Sequence, residues 1–246
     1  MQANFDKSLR LVLVHEGGWS DHPEDPGGAT MKGVTLAVFR RYYGADRSKA
    51  DLRNISDAQL GHIYKAGYWD KCDCDDLPPG VDYAVFDGAV NSGPVRSVRW
   101  LQAAVGAAQS GGIGPDTLGR VTALAAGTVI DSMLDQRLRF LKGLRTWPTF
   151  GKGWGRRVEG VRHDALDMAS GTETSPAVVP ITDFKIVRLG DEGPWVRKLQ
   201  EALGLQVDGE FGPKTEAALR AWQSEHGLEP DGIADRVTYR ALGLIG

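Results

Sequence analysis

The sequence predicts a mainly helical protein in two domains, the larger carrying a small β element near its start. Apolar residues recur at helical spacing over most of the chain. A stretch rich in Gly, Pro and Asp interrupts them at 19–36, and a Thr-, Ser- and Pro-rich segment from Gly171 to Asp183 has no helical period. Such a composition makes a semi-extended linker. With 246 residues the chain has room for a medium and a small domain. The domains are placed at 1–170 and 184–246, joined by a linker over 171–183.

Asn4 is positioned to cap a first helix that carries Phe5, Leu9 and Val12 on one face and ends at Gly17-Gly18. Val34 and Thr35 give the stretch 19–36 the pattern of a small hairpin. Helices are expected from Leu36 to Tyr43 and after Ser56, where Asp57 falls in the favourable first turn. A buried helix follows Val81 through Val85, Phe86, Ala89 and Val90; Gly93-Pro94 breaks it, and a helix resumes from Val95 to Val105. Further helices are expected over 115–126 and 128–144, and near 154–169. In the small domain, Leu199, Leu203, Phe211, Leu219, Trp222 and Leu242 are the expected core, a marginal one at that size.

Composition excludes several classes. Net charge is −3 with both signs interspersed, which lacks the basic stripe of a nucleic-acid binder. No apolar run approaches the roughly 20 residues of a membrane helix, so no membrane insertion is expected. The start of the chain has no basic segment followed by an apolar stretch and a cleavage site. Cytoplasmic synthesis without a signal peptide is the expectation. Cys72 and Cys74 are too close in sequence for a good mutual disulfide. With no histidine pair beside them, they read as free thiols on a polar loop, and no metal or cofactor is expected.

An internal repeat is visible by direct alignment. Val98-Arg99-Trp100-Leu101-Gln102, followed by Gly111 and Gly114-Pro115-Asp116-Thr117, matches Val196-Arg197-Lys198-Leu199-Gln200 with Gly209 and Gly212-Pro213-Lys214-Thr215. Asp231-Gly232 with Thr238 echoes it more weakly. The unit is a helix ending at Gly, a tight turn, and Pro opening the next helix. For the first copy, a reused scaffold without a ligand is the preferred reading over a binding role.

The chemistry concentrates in Glu16-Gly17-Gly18-Trp19 and Asp25-Pro26-Gly27-Gly28-Ala29-Thr30. Glu16 closes the first helix, where unpaired carbonyls disfavour a carboxylate and favour a proton donor. Asp25, among polar residues and backbone amides, is expected to stay ionised and to orient a water or stabilise an oxocarbenium-like transition state; the Thr30 hydroxyl can hold that water. Two carboxyls in contrasting environments suit acid-catalysed cleavage of a sugar–sugar bond. His15-Glu16 does not complete a metalloprotease helix motif, because Trp19 occupies the place of its second histidine.

These residues, with Gly33-Val34-Thr35, Tyr83 to Pro94 and Trp100-Leu101-Gln102, resemble glycoside hydrolase family 108, the bacterial and phage N-acetylmuramidases. The resemblance spans the first domain. It implies a lysozyme-like fold, Glu16 as catalytic acid, and cleavage of the β-1,4 bond between N-acetylmuramic acid and N-acetylglucosamine. The Glu/Asp/Thr arrangement is also similar to phage-type lysozymes, but the shorter interval from Asp25 to Thr30 leaves Thr35 as the alternative. Asp87 and Asn91, one helical turn apart, become candidates for lining the sugar cleft, although a helix cap explains Asn91 equally well. Trp19, Tyr68 and Trp69 are candidates for stacking on sugar rings, with core packing the competing explanation.

The segment from Val187 to Leu242 resembles the three-helix peptidoglycan-binding module, through Asp208-Gly209-Glu210-Phe211-Gly212-Pro213-Lys214-Thr215, Trp222-Gln223 and Asp231-Gly232. The resemblance implies peptidoglycan as partner, with the tether raising the effective substrate concentration. A monomeric phage or prophage endolysin released through a holin is the resulting expectation, with a host enzyme of wall remodelling or secretion, exported by another route, as the alternative. A peptidoglycan amidase or peptidase, and a non-catalytic wall-binding protein, are the rival readings.

Overall fold

A computed structural model describes residues 2–21, 28–171, 185–226, 228, 230–234 and 236–244. The chain divides into two compact units, Met1–Glu173 and Thr174–Gly246. Most of the expected linker lies outside the described residues. Among the described residues no helix is long and apolar enough to cross a membrane.

The first unit opens with α1 (Gln2–Leu13), a three-stranded antiparallel sheet of β1 (Trp19–Ser20), β2 (Thr30–Met31) and β3 (Val34–Thr35), then α2 (Leu36–Tyr43), α3 (Lys49–Arg53) and α4 (Asp57–Tyr64). A π-helical turn, Lys65–Trp69, and two short 3₁₀ turns lead to α5 (Val81–Ser92). The helices α6 (Pro94–Ala104), α7 (Pro115–Thr122), α8 (Ala126–Lys142) and α9 (Trp147–Ala169) complete it. Every residue of α5 from Val81 to Ala89 is buried, as expected of a helix apolar on most sides. It is the axis on which α1, α6, α8 and α9 pack.

Three details differ from the sequence reading. Asn4 lies within α1 and caps nothing; its Nδ2 donates to Asp82 Oδ2 at 2.8 Å and ties α1 to α5. The helix stops at Leu13, because the amides of His15 and Glu16 tighten to the carbonyls of Val12 and Leu13, 2.9 and 3.3 Å away. Glu16 thus sits in a turn beyond the helix. At the other end, α9 begins at Trp147 rather than near 154: the Trp147 ring lies over Gly151, where a Cβ would come within 2.5 Å of it. Cys72 and Cys74 are free, as expected, but both are buried rather than on an exposed loop.

The second unit holds α10 (Pro194–Ala202), α11 (Pro213–Glu225) and α12 (Arg236–Ala241), with backbone bridges Val187–Ala234 and Glu192–Glu210. Its buried core is Val187, Val196, Leu199, Phe211, Leu219, Ala234 and Tyr239, with Leu203 and Leu242 at its margin. Trp222 is a correction: it stacks on His226, with ring centroids 4.0 Å apart, and stands outside that cluster.

The repeat proves to be one hydrogen-bonded cradle built three times. Gln102 Nε2 donates to the Gly112 carbonyl at 3.0 Å and to Thr117 Oγ1 at 3.2 Å, while its Oε1 accepts from the Gly111 amide at 2.9 Å. Gln200 makes the equivalent bonds to the Glu210 carbonyl, Thr215 and Gly209 at 3.0, 3.2 and 2.9 Å. Gln223 makes them to the Ile233 carbonyl, Thr238 and Gly232 at 3.0, 3.2 and 3.0 Å. Each buried side-chain amide satisfies backbone groups of its own turn. The turn glycines 111, 209 and 232 have φ of +85, +84 and +70°, a region that disfavours a Cβ.

Candidate active site

Glu16 is cornered from two sides. Arg157, on α9, donates from Nη1 and Nη2 to Glu16 Oε1 at 3.3 and 3.4 Å. The hairpin turn Lys32–Gly33 closes against the other oxygen. Both turn residues have positive φ, 46 and 77°, the requirement of a two-residue type I′ turn. A Cβ on Gly33 would fall 2.8 Å from Glu16 Oε2 and 2.5 Å from Tyr64 Oη, so the close approach needs glycine. Tyr64 Oη donates to the Lys32 carbonyl at 2.9 Å and pins the turn. The Glu16 side chain is about one-fifth exposed, enough to meet a ligand.

Behind Glu16 runs a buried ion network. Arg157 Nη2 donates to Asp87 Oδ2 at 2.8 Å, and Arg137 Nη1, from α8, donates to Asp87 Oδ1 at 2.6 Å. Asp87 and Arg137 are fully enclosed. Burial alone would push the Asp87 carboxyl up, but the Arg157 and Arg137 guanidiniums outweigh it and hold the group well below the usual carboxylate range. Burial likewise opposes the charge on Arg157, and Asp87 and then Glu16 more than compensate, so its pKa is raised. Burial first, and the Glu16 charge second, push the Tyr64 and Tyr68 hydroxyls up, so both stay protonated as donors.

Thr30 lies on β2, opposite Ser20 and Thr35, and its hydroxyl donates to the Gly28 carbonyl at 3.0 Å. Thr35 caps α2, its hydroxyl oxygen accepting from the Val38 amide at 3.3 Å. Asp25 lies outside the described residues. Trp19, on β1, is half-buried beneath the Arg53 guanidinium, 5.7 Å from its ring centroid. Tyr68 is half-buried beside Tyr64, ring centroids 5.7 Å apart.

Two of the expected residues are corrected. Trp69 is wholly buried against Phe5 and Phe86, with ring centroids 5.3 and 5.4 Å away, so no sugar can stack on it. Asp87 shares that burial and does not line a cleft; it anchors Arg157. Asn91 is exposed at the end of α5, beside a hollow of about 260 Å³. Sequence reasoning missed Arg157, Arg137 and Tyr64. Arg137 carried a signal: it falls in the apolar row Ile130, Met133, Leu134, Leu141 of α8, where a charge needs a buried partner.

Among the described residues, His163, Asp164 and Asp167 bring possible ligand atoms within 4.8 Å of one another. His163 and Asp167 are exposed, an i,i+4 surface pair on α9 at 3.1 Å.

A partly open glutamate, held by a half-buried arginine, thus lies between a helical body and a small sheet. Residues 9–93 match glycosyl hydrolase 108, and residues 196–242 match the putative peptidoglycan binding domain. The structure of Brucella abortus SagA is 45% identical, with a TM-score of 0.62, over 70% of this chain and 99% of that one. The chain belongs to the glycosyl hydrolase 108 family.

Two curated relatives share shorter stretches. The zinc D-Ala-D-Ala carboxypeptidase of Streptomyces albus G is 39% identical over 61 residues, 22% of this chain and 24% of the relative. An uncharacterized protein of the bpoA1 3′ region of Kitasatospora aureofaciens is 44% identical over 59 residues, 21% of this chain and 50% of the relative. The chain therefore spans a quarter to a half of the length of these curated relatives.

Proposed function

We propose that the protein is an N-acetylmuramidase that hydrolyses the β-1,4 bond between N-acetylmuramic acid and N-acetylglucosamine in peptidoglycan. The observation that carries this reading is the position of Glu16, half-sheltered between Arg157 and the Lys32–Gly33 turn. Arg157 occupies Oε1, which leaves Oε2 to hand a proton to the leaving glycosidic oxygen. As that proton departs, the guanidinium stabilises the carboxylate that forms. Asp25, helped by Thr30 five positions on, is assigned the water on the opposite face of the sugar, an inverting displacement.

The C-terminal unit is assigned to wall attachment, which keeps the catalytic unit near its polymer. On this reading the protein is a monomeric endolysin that reaches the wall through a holin, and co-expression with and without a holin tests that route. Mass spectrometry of digested muropeptides tests the chemistry. New reducing ends at muramic acid are expected. New free amines mean an amidase or peptidase, and anhydro-muramyl ends mean a lytic transglycosylase. Proton NMR of the first product anomer is expected to show inversion.

A further inference from the structure

The ion pair between Arg157 and Asp87 fixes α9 and α5 in register. One turn along α5 from Asp87 is Asn91, and one turn along α9 from Arg157 is Trp154. Residues three or four apart share a helix face, so the register that joins Asp87 to Arg157 also brings Asn91 and Trp154 to one place. Both line the same hollow of about 260 Å³, together with Arg96 and Phe140. The Arg96 guanidinium lies over the Phe140 ring, 4.6 Å from its centroid, and is steadied at the rim. Phe150, about half exposed, extends the aromatic surface, its ring 5.7 Å from Trp154 and tilted by 31°.

The hollow therefore lies about one helical turn along α5 and α9 from the Asp87–Arg157 ion pair. Its chemistry is an aromatic platform flanked by a side-chain amide and a guanidinium. An aromatic face accepts the apolar face of a pyranose. Asn91 and Arg96 supply hydrogen-bond donors, and Asn91 an acceptor, for hydroxyl and acetamido groups. We propose that this hollow is an accessory saccharide subsite, taking an N-acetylated amino sugar of the same glycan strand whose scissile bond lies at Glu16. The proposal rests on the muramidase reading and adds a second point of contact to it, with Trp154 as the platform. Binding energy from such a remote sugar helps hold the strand in place over the reacting bond.

The test uses the full chain with Glu16→Gln, so that ligands stay intact, and peptide-free peptidoglycan glycan fragments of increasing length. Isothermal titration is expected to show a step in affinity, roughly tenfold, once a fragment is long enough to reach Trp154. Asn91→Ala and Trp154→Phe, each added to Glu16→Gln, are expected to erase most of that step. Phe150→Ser, at an exposed position, provides a further variant with little bearing on folding. Affinity that rises with length identically in all variants overturns the subsite, as does affinity with no dependence on length. Full hydrolytic activity of Glu16→Gln overturns the catalytic reading and leaves the length dependence to be read on its own. Failure of every fragment to bind overturns both.

Discussion

Arg157 and Glu16 are 141 positions apart in sequence, yet two guanidinium nitrogens of Arg157 reach one carboxylate oxygen of Glu16. The same guanidinium is anchored to buried Asp87. Glu16, in a turn beyond its helix, therefore takes its position from the far end of the first unit.

Replacing the acid without changing its shape isolates its proton. Glu16→Gln is expected to lower the release of reducing ends by about 10²–10⁴-fold, with the thermal midpoint little changed because the amide oxygen still accepts from Arg157. Activity close to the parent would remove Glu16 from the chemistry.

Arg157→Lys keeps the charge and loses the fork. A single ammonium cannot reproduce the donors that Arg157 gives to Asp87 and Glu16 together. Turnover is expected to fall by roughly 10²-fold with a smaller change in KM, the signature of a positioning residue. A pure rise in KM would show instead that Arg157 serves ligand binding.

Asp87→Asn leaves two sheltered arginines short of a counter-charge. The expected destabilisation is about 3–5 kcal/mol, or roughly a 10 °C fall in Tm for a domain of this size. The carboxyl is held below the usual carboxylate range. Its stabilisation is thus complete above its unfolded pKa of about 3.9 and is lost as the pH falls below that value. Stability of the parent between pH 4 and 2, followed by circular dichroism, should therefore drop more steeply than that of Asp87→Asn. Parallel curves would disprove the linkage.

Gly33→Ala asks for a Cβ where Glu16 and Tyr64 already are, at a φ of +77°. It is expected to cost about 1–3 kcal/mol in stability. A displaced Glu16 should lower activity by up to about 10²-fold. An unchanged rate with an unchanged melt would mean that the turn does not position the acid.

The three cradles offer matched substitutions. Gln102→Ala, Gln200→Ala and Gln223→Ala each strand a turn amide and remove equivalent bonds, at about 1–3 kcal/mol apiece. The small second unit has little stability in reserve. Gln200→Ala and Gln223→Ala are therefore expected to unfold it and abolish wall binding. Gln102→Ala should lower the melt of the first unit but leave it folded. Heteronuclear NMR of the full chain separates the two outcomes.

Much of this was legible in the sequence because it is local. The spacing of Phe5, Leu9 and Val12, the Val34-Thr35 pair and the break at Gly93-Pro94 each report a short stretch of backbone. The repeat was visible because its glutamine, glycine and threonine keep a fixed interval, and that interval is what the cradle requires. The motif around Glu16, with Tyr83 to Pro94, likewise carries the family resemblance in short contiguous stretches.

Tertiary structure decided what each residue meets. Helical spacing placed Asp87 and Asn91 on one face of α5 but could not say that the first is sealed beneath two arginines while the second is exposed at the helix end. The aromatic pair Tyr68-Trp69 reads as a candidate platform, yet the π-helical turn leaves one ring half-buried and drives the other into the core. Periodicity records which side of an element is apolar. It carries no information about the partner, because ion pairs such as Arg157–Glu16 and Arg137–Asp87 arise only when α5, α8 and α9 pack and exclude water from between their charges.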